Sequence, residues 1–229
     1  MRKITVAIFL VLAFLCSCSD LNHAAKLKPD DADKPKPDVA IKLKSDDAIA
    51  HSNRGIAYQN RGQYQRAIEE YNEAIRLKPD LAEVYSNRGI AYAKLDQYQR
   101  AIDDYNESIR LLPDFAEAYN NRGTAYNHLG QYQRAIDDFS KAIRLKPKDA
   151  TLYYNRGIAY DNLGKLRLAI ENFNEAIRLK PADALSYTNR AGAYFMQGNK
   201  KLFCRDIQKA CTLGDCKLLE MAKGKRYCP

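Results

Sequence analysis

Five asparagines stand in register along this chain: Asn53, Asn87, Asn121, Asn155 and Asn189, each 34 residues after the last. A primary amide carries donors and an acceptor, so one side chain can bond a peptide N–H and a peptide C=O together. A row of such groups at fixed spacing would grip backbone and ask little of side chains. An arginine follows each asparagine: Arg54, Arg88, Arg122, Arg156 and Arg190. A guanidinium near a packing seam needs a counter-charge, because burying it alone is expensive. Acids recur downstream of each arginine, as Glu69-Glu70, Asp103-Asp104, Asp137-Asp138, Glu171 and Asp206. The expectation is a row of arginine–carboxylate pairs. The alternative is arginines that only reach out to water along their apolar stems.

Catalytic chemistry has no such pattern. The histidines are His23, His51 and His128, and they do not recur at the period. His51 occupies a column that is otherwise Tyr, so it is expected to pack. His128 has no cysteine or carboxylate at metal-ligand spacing. No glycine-rich phosphate loop and no nucleophile motif occurs. The chain is therefore read as no enzyme, with no cofactor and no metal.

The elements that carry these columns follow from the same period. Pro79, Pro113, Pro147 and Pro181 keep the 34-residue step, and so do Tyr58, Tyr92, Tyr126, Tyr160 and Tyr194. A period this strict over five units implies a solenoid, in which each unit buries its apolar face against the next. In residues 82–115, Tyr85, Gly89 and Tyr92 fall on one helical face. Tyr98, Ala101, Ile102, Tyr105, Ser108 and Ile109 fall on a second. Leu95-Asp96-Gln97 lies between as a turn, where sister units place Gly62, Gly130 and Gly164. Pro113 closes the second helix, since proline biases the residue before it away from helix. Each unit is thus predicted to be a helix–turn–helix hairpin. Gly89 and Ala101 are small enough for the two helices to approach closely, and Tyr92 and Tyr105 are expected in the core.

These residues resemble the tetratricopeptide repeat. Tyr119-x-x-Arg122-Gly123-x-x-Tyr126, Ala135-x-x-x-Phe139 and Pro147 follow its signature, with Arg where that family usually has Leu. The resemblance implies an all-α, right-handed superhelical solenoid. Five repeats are expected within 47–217, at 48–81, 82–115, 116–149, 150–183 and 184–217. It also implies that the asparagine column lines an inner, concave groove and holds an extended peptide. Columns that vary would then set specificity. Glu83, Glu117, Thr151 and Leu185 form one line, and Ser86, Asn120, Tyr154 and Thr188 another. Phe195 and Met196 make the late end of the groove apolar. The peptide-binding set is thus Asn53, Asn87, Asn121, Asn155, Asn189, Tyr154, Phe195 and Met196.

The two ends of the chain differ from its middle. Arg2, Lys3 and the apolar run 4–15 read as an export signal, too short to span a membrane. Leu15-Cys16-Ser17-Cys18 is similar to the lipobox of bacterial lipoproteins. That similarity implies residues 1–17 as signal peptide, Cys18 as the lipidated residue and a lipid anchor in the membrane. Ordinary signal-peptidase cleavage is the alternative. Ser19 after the lipobox favours the outer membrane, facing the periplasm. Residues 18–46 are polar, with Pro29, Pro35 and Pro37, and read as a flexible linker. Residues 39–45 look like the tail of a second helix, so a short helical turn in front of the first repeat is the other reading.

Residues 215–229 are predicted to form a capping helix and tail, with Leu218, Leu219 and Met221 covering the last repeat. In the fifth unit the glycine column becomes Ala191 and the small alanine column becomes Phe203. Cys204, Cys211, Cys216 and Cys228 form an even set at one end of an exported chain, which suggests disulfides. The nested pairing, Cys211–Cys216 and Cys204–Cys228, is preferred over the two other pairings and over a zinc site. The same end is basic: residues 199–229 hold eight Lys and Arg against three acids. Such an end can meet anionic lipid or an acidic partner. No nucleic acid is expected as a partner of an exported chain.

The reading is an envelope scaffold that binds a protein or an extended peptide in its groove. A wall-associated protein that binds glycan, or that self-associates, is the rival. The layout of signal, lipobox and repeats is similar to pilotin-type and outer-membrane assembly lipoproteins. The ligand is expected to combine a polar extended stretch with one apolar anchor near the fifth repeat. Phe195→Asp should then weaken its binding by well over tenfold, measured by titrating purified ligand; unchanged affinity would remove the anchor.

Overall fold

The computed structural model describes residues 37–228, and packing is described for the compact unit Ile41–Pro229. The described residues are helical, with no strand among them. The first repeat comprises α1 (Pro37–Asn60) and α2 (Tyr64–Leu77). The next four are α3 (Ala82–Lys94) with α4 (Tyr98–Leu111), α5 (Ala116–His128) with α6 (Tyr132–Leu145), α7 (Ala150–Asn162) with α8 (Leu166–Leu179), and α9 (Ala184–Met196) with α10 (Lys200–Thr212). A short α11 (Lys217–Gly224) follows. None of these helices is long and apolar enough to cross a membrane.

The turn between paired helices needs a left-handed residue. Gly62, Gly130, Gly164 and Gly198 supply it at φ of 71° to 76°, a region that costs glycine nothing. The second repeat puts Asp96 there at φ 57°. The second helices of the first four repeats stop at Leu77, Leu111, Leu145 and Leu179, two residues before each proline, as the bias on the residue before proline requires.

The linker expectation needs correction over its last ten residues. Helix α1 starts at Pro37 and runs without a break into the first repeat. Proline favours this first helical position, because its fixed φ suits the helix and its missing N–H would have no partner there. Ala, Ile, Leu and Lys fill the following turns and carry the helix onward. The separate helical turn of the other reading is therefore the leading part of α1. The export signal and Cys18 lie outside the described residues.

The repeats stack in chain order. Each second helix packs on the first helix of the next repeat, as α2 on α3, α4 on α5, α6 on α7 and α8 on α9. Successive first helices also touch, as α3 with α5, α5 with α7 and α7 with α9, whereas the second helices stand farther apart. The first helices are thus the inner layer of a curved stack. That layer carries the asparagine column.

Within a repeat, glycine faces an aromatic ring. A Cβ placed on Gly89 would lie 2.7 Å from Tyr105, one on Gly123 2.9 Å from Phe139, and one on Gly157 2.7 Å from Phe173. Those rings are fully buried, and burial pushes the Tyr71 hydroxyl up to about 12. Alanines at 67, 101, 135 and 169 pack beside them with no exposure. The fifth repeat changes both partners together: Ala191 takes the glycine position and Ile207 the ring position, and both are buried.

That exchange predicts a coupled pair. Gly157→Ala alone should cost about 1–3 kcal/mol by overpacking against Phe173. Joining it to Phe173→Ile, which recreates the fifth-repeat pair, should recover more than about 1 kcal/mol in a double-mutant cycle read by urea unfolding. Strict additivity would show that the ring and the glycine do not constrain each other.

Candidate functional site

The inner layer is held in place by its arginines. Arg88 on α3 meets Asp104 on α4 with two hydrogen bonds, Nε to Oδ2 at 2.9 Å and Nη2 to Oδ1 at 2.7 Å. Its remaining nitrogen, Nη1, donates to Asn72 Oδ1 on α2 of the preceding repeat at 2.7 Å. One guanidinium therefore binds a second helix in each of two repeats. Arg122 repeats the arrangement with Asp138 (2.8 and 2.7 Å) and Asn106 (2.6 Å). Arg190 repeats it with Asp206 (2.6 and 3.0 Å) and Asn174 (2.7 Å). Fork-to-fork contacts of this kind fix orientation as well as distance. Tyrosines flank the charge, with Tyr85 and Tyr92 rings at 5.6 and 5.9 Å from the Arg88 carbon.

The first and fourth repeats depart from this form. Arg54 makes one bond to Glu70 at 3.0 Å and lies largely in solvent. Arg156 does not meet Glu171; its partners are Asn172 at 2.8 Å and Ser140 at 3.0 Å. The expected pair Arg156–Glu171 is thus wrong. Residue 171 lies one step around α8, on the exposed face, where Glu171 approaches Arg167 at 3.9 Å. Electrostatics follow the partner. Burial pushes the Arg156 pKa below the usual arginine value. Burial acts on Arg88 in the same sense, but the bonds and charge of Asp104 outweigh it and raise the Arg88 pKa. Burial pushes the Asp104 and Asp138 carboxyls up, with Arg88 and Arg122 pulling the other way.

His51 is also corrected. It lies in the tyrosine column, yet its Nδ1 is 2.7 Å from Glu70 Oε2 and 2.7 Å from Arg54 Nη2. It belongs to the polar contact of the first repeat. His128 stacks on Tyr98, with ring centroids 4.6 Å apart and planes 7° apart. Among the described residues no group of His, Cys, Asp or Glu is placed to hold a metal ion.

In the later repeats the asparagines bond to polar groups beside the column. Asn155 Nδ2 donates to Asn120 Oδ1 at 2.9 Å, and Asn120 Nδ2 donates to Asn121 Oδ1 at 3.3 Å. Asn189 Nδ2 donates to the Tyr154 hydroxyl at 3.0 Å and to the Leu185 carbonyl at 2.9 Å. A parallel link joins Asn162 Nδ2 to Asn127 Oδ1 at 3.2 Å. Three of these bonds, Asn155–Asn120, Asn189–Tyr154 and Asn162–Asn127, step from one first helix to the next. They orient the amides and use only part of the bonding capacity of each. Asn53 is exposed, and Asn87, Asn121, Asn155 and Asn189 are half-buried. Asn121 also lines a cleft of about 390 Å³ between the second and third repeats, with Ile90, Lys94, Tyr98, Thr124 and His128.

Tyr154 is more committed than its sequence position suggests. Its hydroxyl accepts from Asn189, and its ring lies 6.1 Å from that of Phe173. Burial raises its pKa. Phe195 and Met196 part company. Phe195 packs on Phe203 at 5.2 Å and on Tyr227 at 5.6 Å. Met196 is 70% exposed and lies outside the pocket that Phe195 lines.

The four cysteines among the described residues lie in two pairs. Cys204 and Cys228 are joined with Cα atoms 5.6 Å apart, and Cys211 and Cys216 with Cα atoms 4.0 Å apart. The first pair ties the tail to α10; the second closes the turn into α11. Leu219 is buried under this end, but Met221 is 53% exposed, so it does not share the covering role expected of it.

Two functional features escaped the sequence reading. Asn72, Asn106, Ser140 and Asn174 form the second set of arginine partners, and their common 34-residue step was the available signal. Tyr227 carried none, since it stands outside the repeat.

Comparison with known proteins places this geometry. The family model described as tetratricopeptide repeat matches residues 82–115, 116–149 and 150–183, and a further model of the same repeat matches 60–96. Among solved structures, MamA from Desulfovibrio magneticus RS-1 is similar at 26% identity and TM-score 0.69, over 73% of this chain and 95% of that one. YrrB, described as a TPR protein with an unusual peptide-binding site, is similar at 23% identity and TM-score 0.67, over 82% and 97%. PilF of Pseudomonas aeruginosa shares the fold at 17% identity and TM-score 0.68, over 75% and 78%. A comparison with the curated proteins found no match.

The clamp predicts an ordered pair of substitutions. Asp138→Ala strands the half-buried guanidinium of Arg122 and should cost about 2–3 kcal/mol. Asp138→Asn keeps one acceptor, as Asn172 does for Arg156, and should cost about half as much. Urea unfolding of the two variants checks this; equal losses would mean that the hydrogen bond to Arg122 contributes nothing beyond side-chain volume.

Proposed function

We infer function from one premise: this chain belongs to the tetratricopeptide repeat family, and it acts as a protein–protein interaction scaffold. More specifically, it holds an extended segment of a partner protein along the layer of first helices. The carrying observation is the asparagine column on that layer, in which Asn155 and Asn189 are oriented by bonds to the preceding repeat and Asn121 by its neighbour Asn120. Amides held in this way offer donors and acceptors to a peptide backbone at the spacing of the repeat. Backbone recognition binds many sequences, so selectivity falls to the neighbouring columns that vary. The description of YrrB as a TPR protein with a peptide-binding site supports the reading from a related stack.

In this reading the scaffold is exported and works at the cell envelope, tethered through a lipid on Cys18. The motif Leu15-Cys16-Ser17-Cys18 supports the tether. The two cysteine pairs at the far end fit an oxidising compartment. No residue of the stack is assigned a catalytic role.

The test is a crosslinking pull-down from intact cells. It compares the wild type with the triple variant Asn87→Ala, Asn121→Ala, Asn155→Ala, checked for folding by circular dichroism. The expected result is loss of one set of partners in the variant. Partners retained in full would move the working surface away from the asparagine column.

A further inference from the structure

The last repeat ends in a pocket that the asparagine column does not explain. Phe195 of α9, Phe203 of α10, Leu218 and Met221 of α11, and Tyr227 of the tail wall a cavity of about 190 Å³. Its walls are almost wholly apolar. The Cys204–Cys228 pair holds the tail against α10, which keeps the Tyr227 ring against the edge of Phe195 at 5.6 Å. Phe195, Met221 and Tyr227 remain 45%, 53% and 42% exposed.

The rim is cationic. Lys225 lines the pocket, and the Lys200 ammonium lies 6.0 Å from the centre of the Tyr227 ring. All eight Lys and Arg side chains between residues 199 and 229 are exposed. Their acidic neighbours are largely occupied. Asp206 is buried between Arg190 and Arg205, and Asp215 accepts from the Thr188 hydroxyl at 2.7 Å. Only Glu220 remains as an exposed acid on this end. The exposed charge around the pocket is therefore mainly positive.

We propose that this pocket is a second recognition site, which takes one bulky apolar side chain of a partner protein flanked by acidic residues. Its volume selects the class of ligand. Sites for small molecules and cofactors run to about 300–1,000 Å³, so a cavity of this size seats one side chain. An aromatic ring can meet the edges of Phe195 and Tyr227 in the tilted geometry that aromatic groups prefer. Lys200 and Lys225 then meet carboxylates on either side. The proposal rests on the reading of the chain as a protein-binding scaffold, but it is independent of the asparagine column.

The test uses the oxidised full-length chain and fluorescein-labelled twelve-residue peptides, read by fluorescence anisotropy. The probe carries one central Phe flanked by Asp and Glu. Controls replace that Phe by Ala, or the acids by Lys. The acidic Phe peptide is expected to bind at least tenfold more tightly than either control, and less tightly as salt rises. Met221→Glu and the pair Lys200→Glu, Lys225→Glu should each weaken it at least tenfold; all three side chains are exposed, so folding is retained. The asparagine triple variant should bind it as the wild type does, which separates failure of this site from failure of the inner layer. Equal binding of the Ala-containing control, or wild-type affinity in Met221→Glu, would overturn the proposal. So would a Met221-dependent dimer in sedimentation, or Met221-dependent binding to phosphatidylglycerol vesicles, because each names a different occupant.

Discussion

A guanidinium shared between two second helices fixes where the inner helices of the second to fifth repeats lie. In the second, third and fifth repeats the arginine places two bonds on its own repeat and one on the repeat before. The Arg190–Asp206 contact is buried and the other two are half-buried, so sliding would leave a charge poorly solvated. Register from one repeat to the next is thereby set by chemistry as well as by shape. The asparagine beside each arginine inherits that register. Its presentation on the inner layer depends on the clamp one residue away.

Steric fit works alongside the charges. Glycine lets the first helix approach a ring on the second so closely that a methyl group would collide. The fifth repeat shows that the fit is a relation between two positions. When the ring becomes Ile207, the glycine becomes Ala191 and the site stays closed. The alanine column becomes Phe203 in the same repeat. That ring packs against Phe195, which begins the apolar end of the stack.

The molecule thus carries two kinds of surface. The inner layer repeats one amide at one spacing, the surface proposed to hold a ligand's backbone. The far end is unique in sequence, apolar at its centre and cationic at its rim, the surface proposed to take a side chain in an acidic context. Multiple weak contacts of both kinds on one partner would raise affinity through effective concentration.

Much of the architecture was legible in the chain itself. The 34-residue step, the turn glycines and the prolines determine hairpins and their stacking, because each unit can bury its apolar face only against the next. The arginine column announced a need for partners on the same grounds. Which acid answers it was decided in three dimensions: Asp104 and Glu171 look alike in sequence, but one faces the seam and the other faces water. Pro37 as a helix start was readable and was outweighed by the polar composition around it. Tertiary structure alone decided that Tyr154 is engaged by Asn189, that Phe195 and Met196 face different surroundings, and that Tyr227 closes a pocket. Periodic residues report their surroundings because each repeat sees the same neighbours. Residues at the end of the stack meet neighbours that no other repeat has, so only the folded chain reveals them.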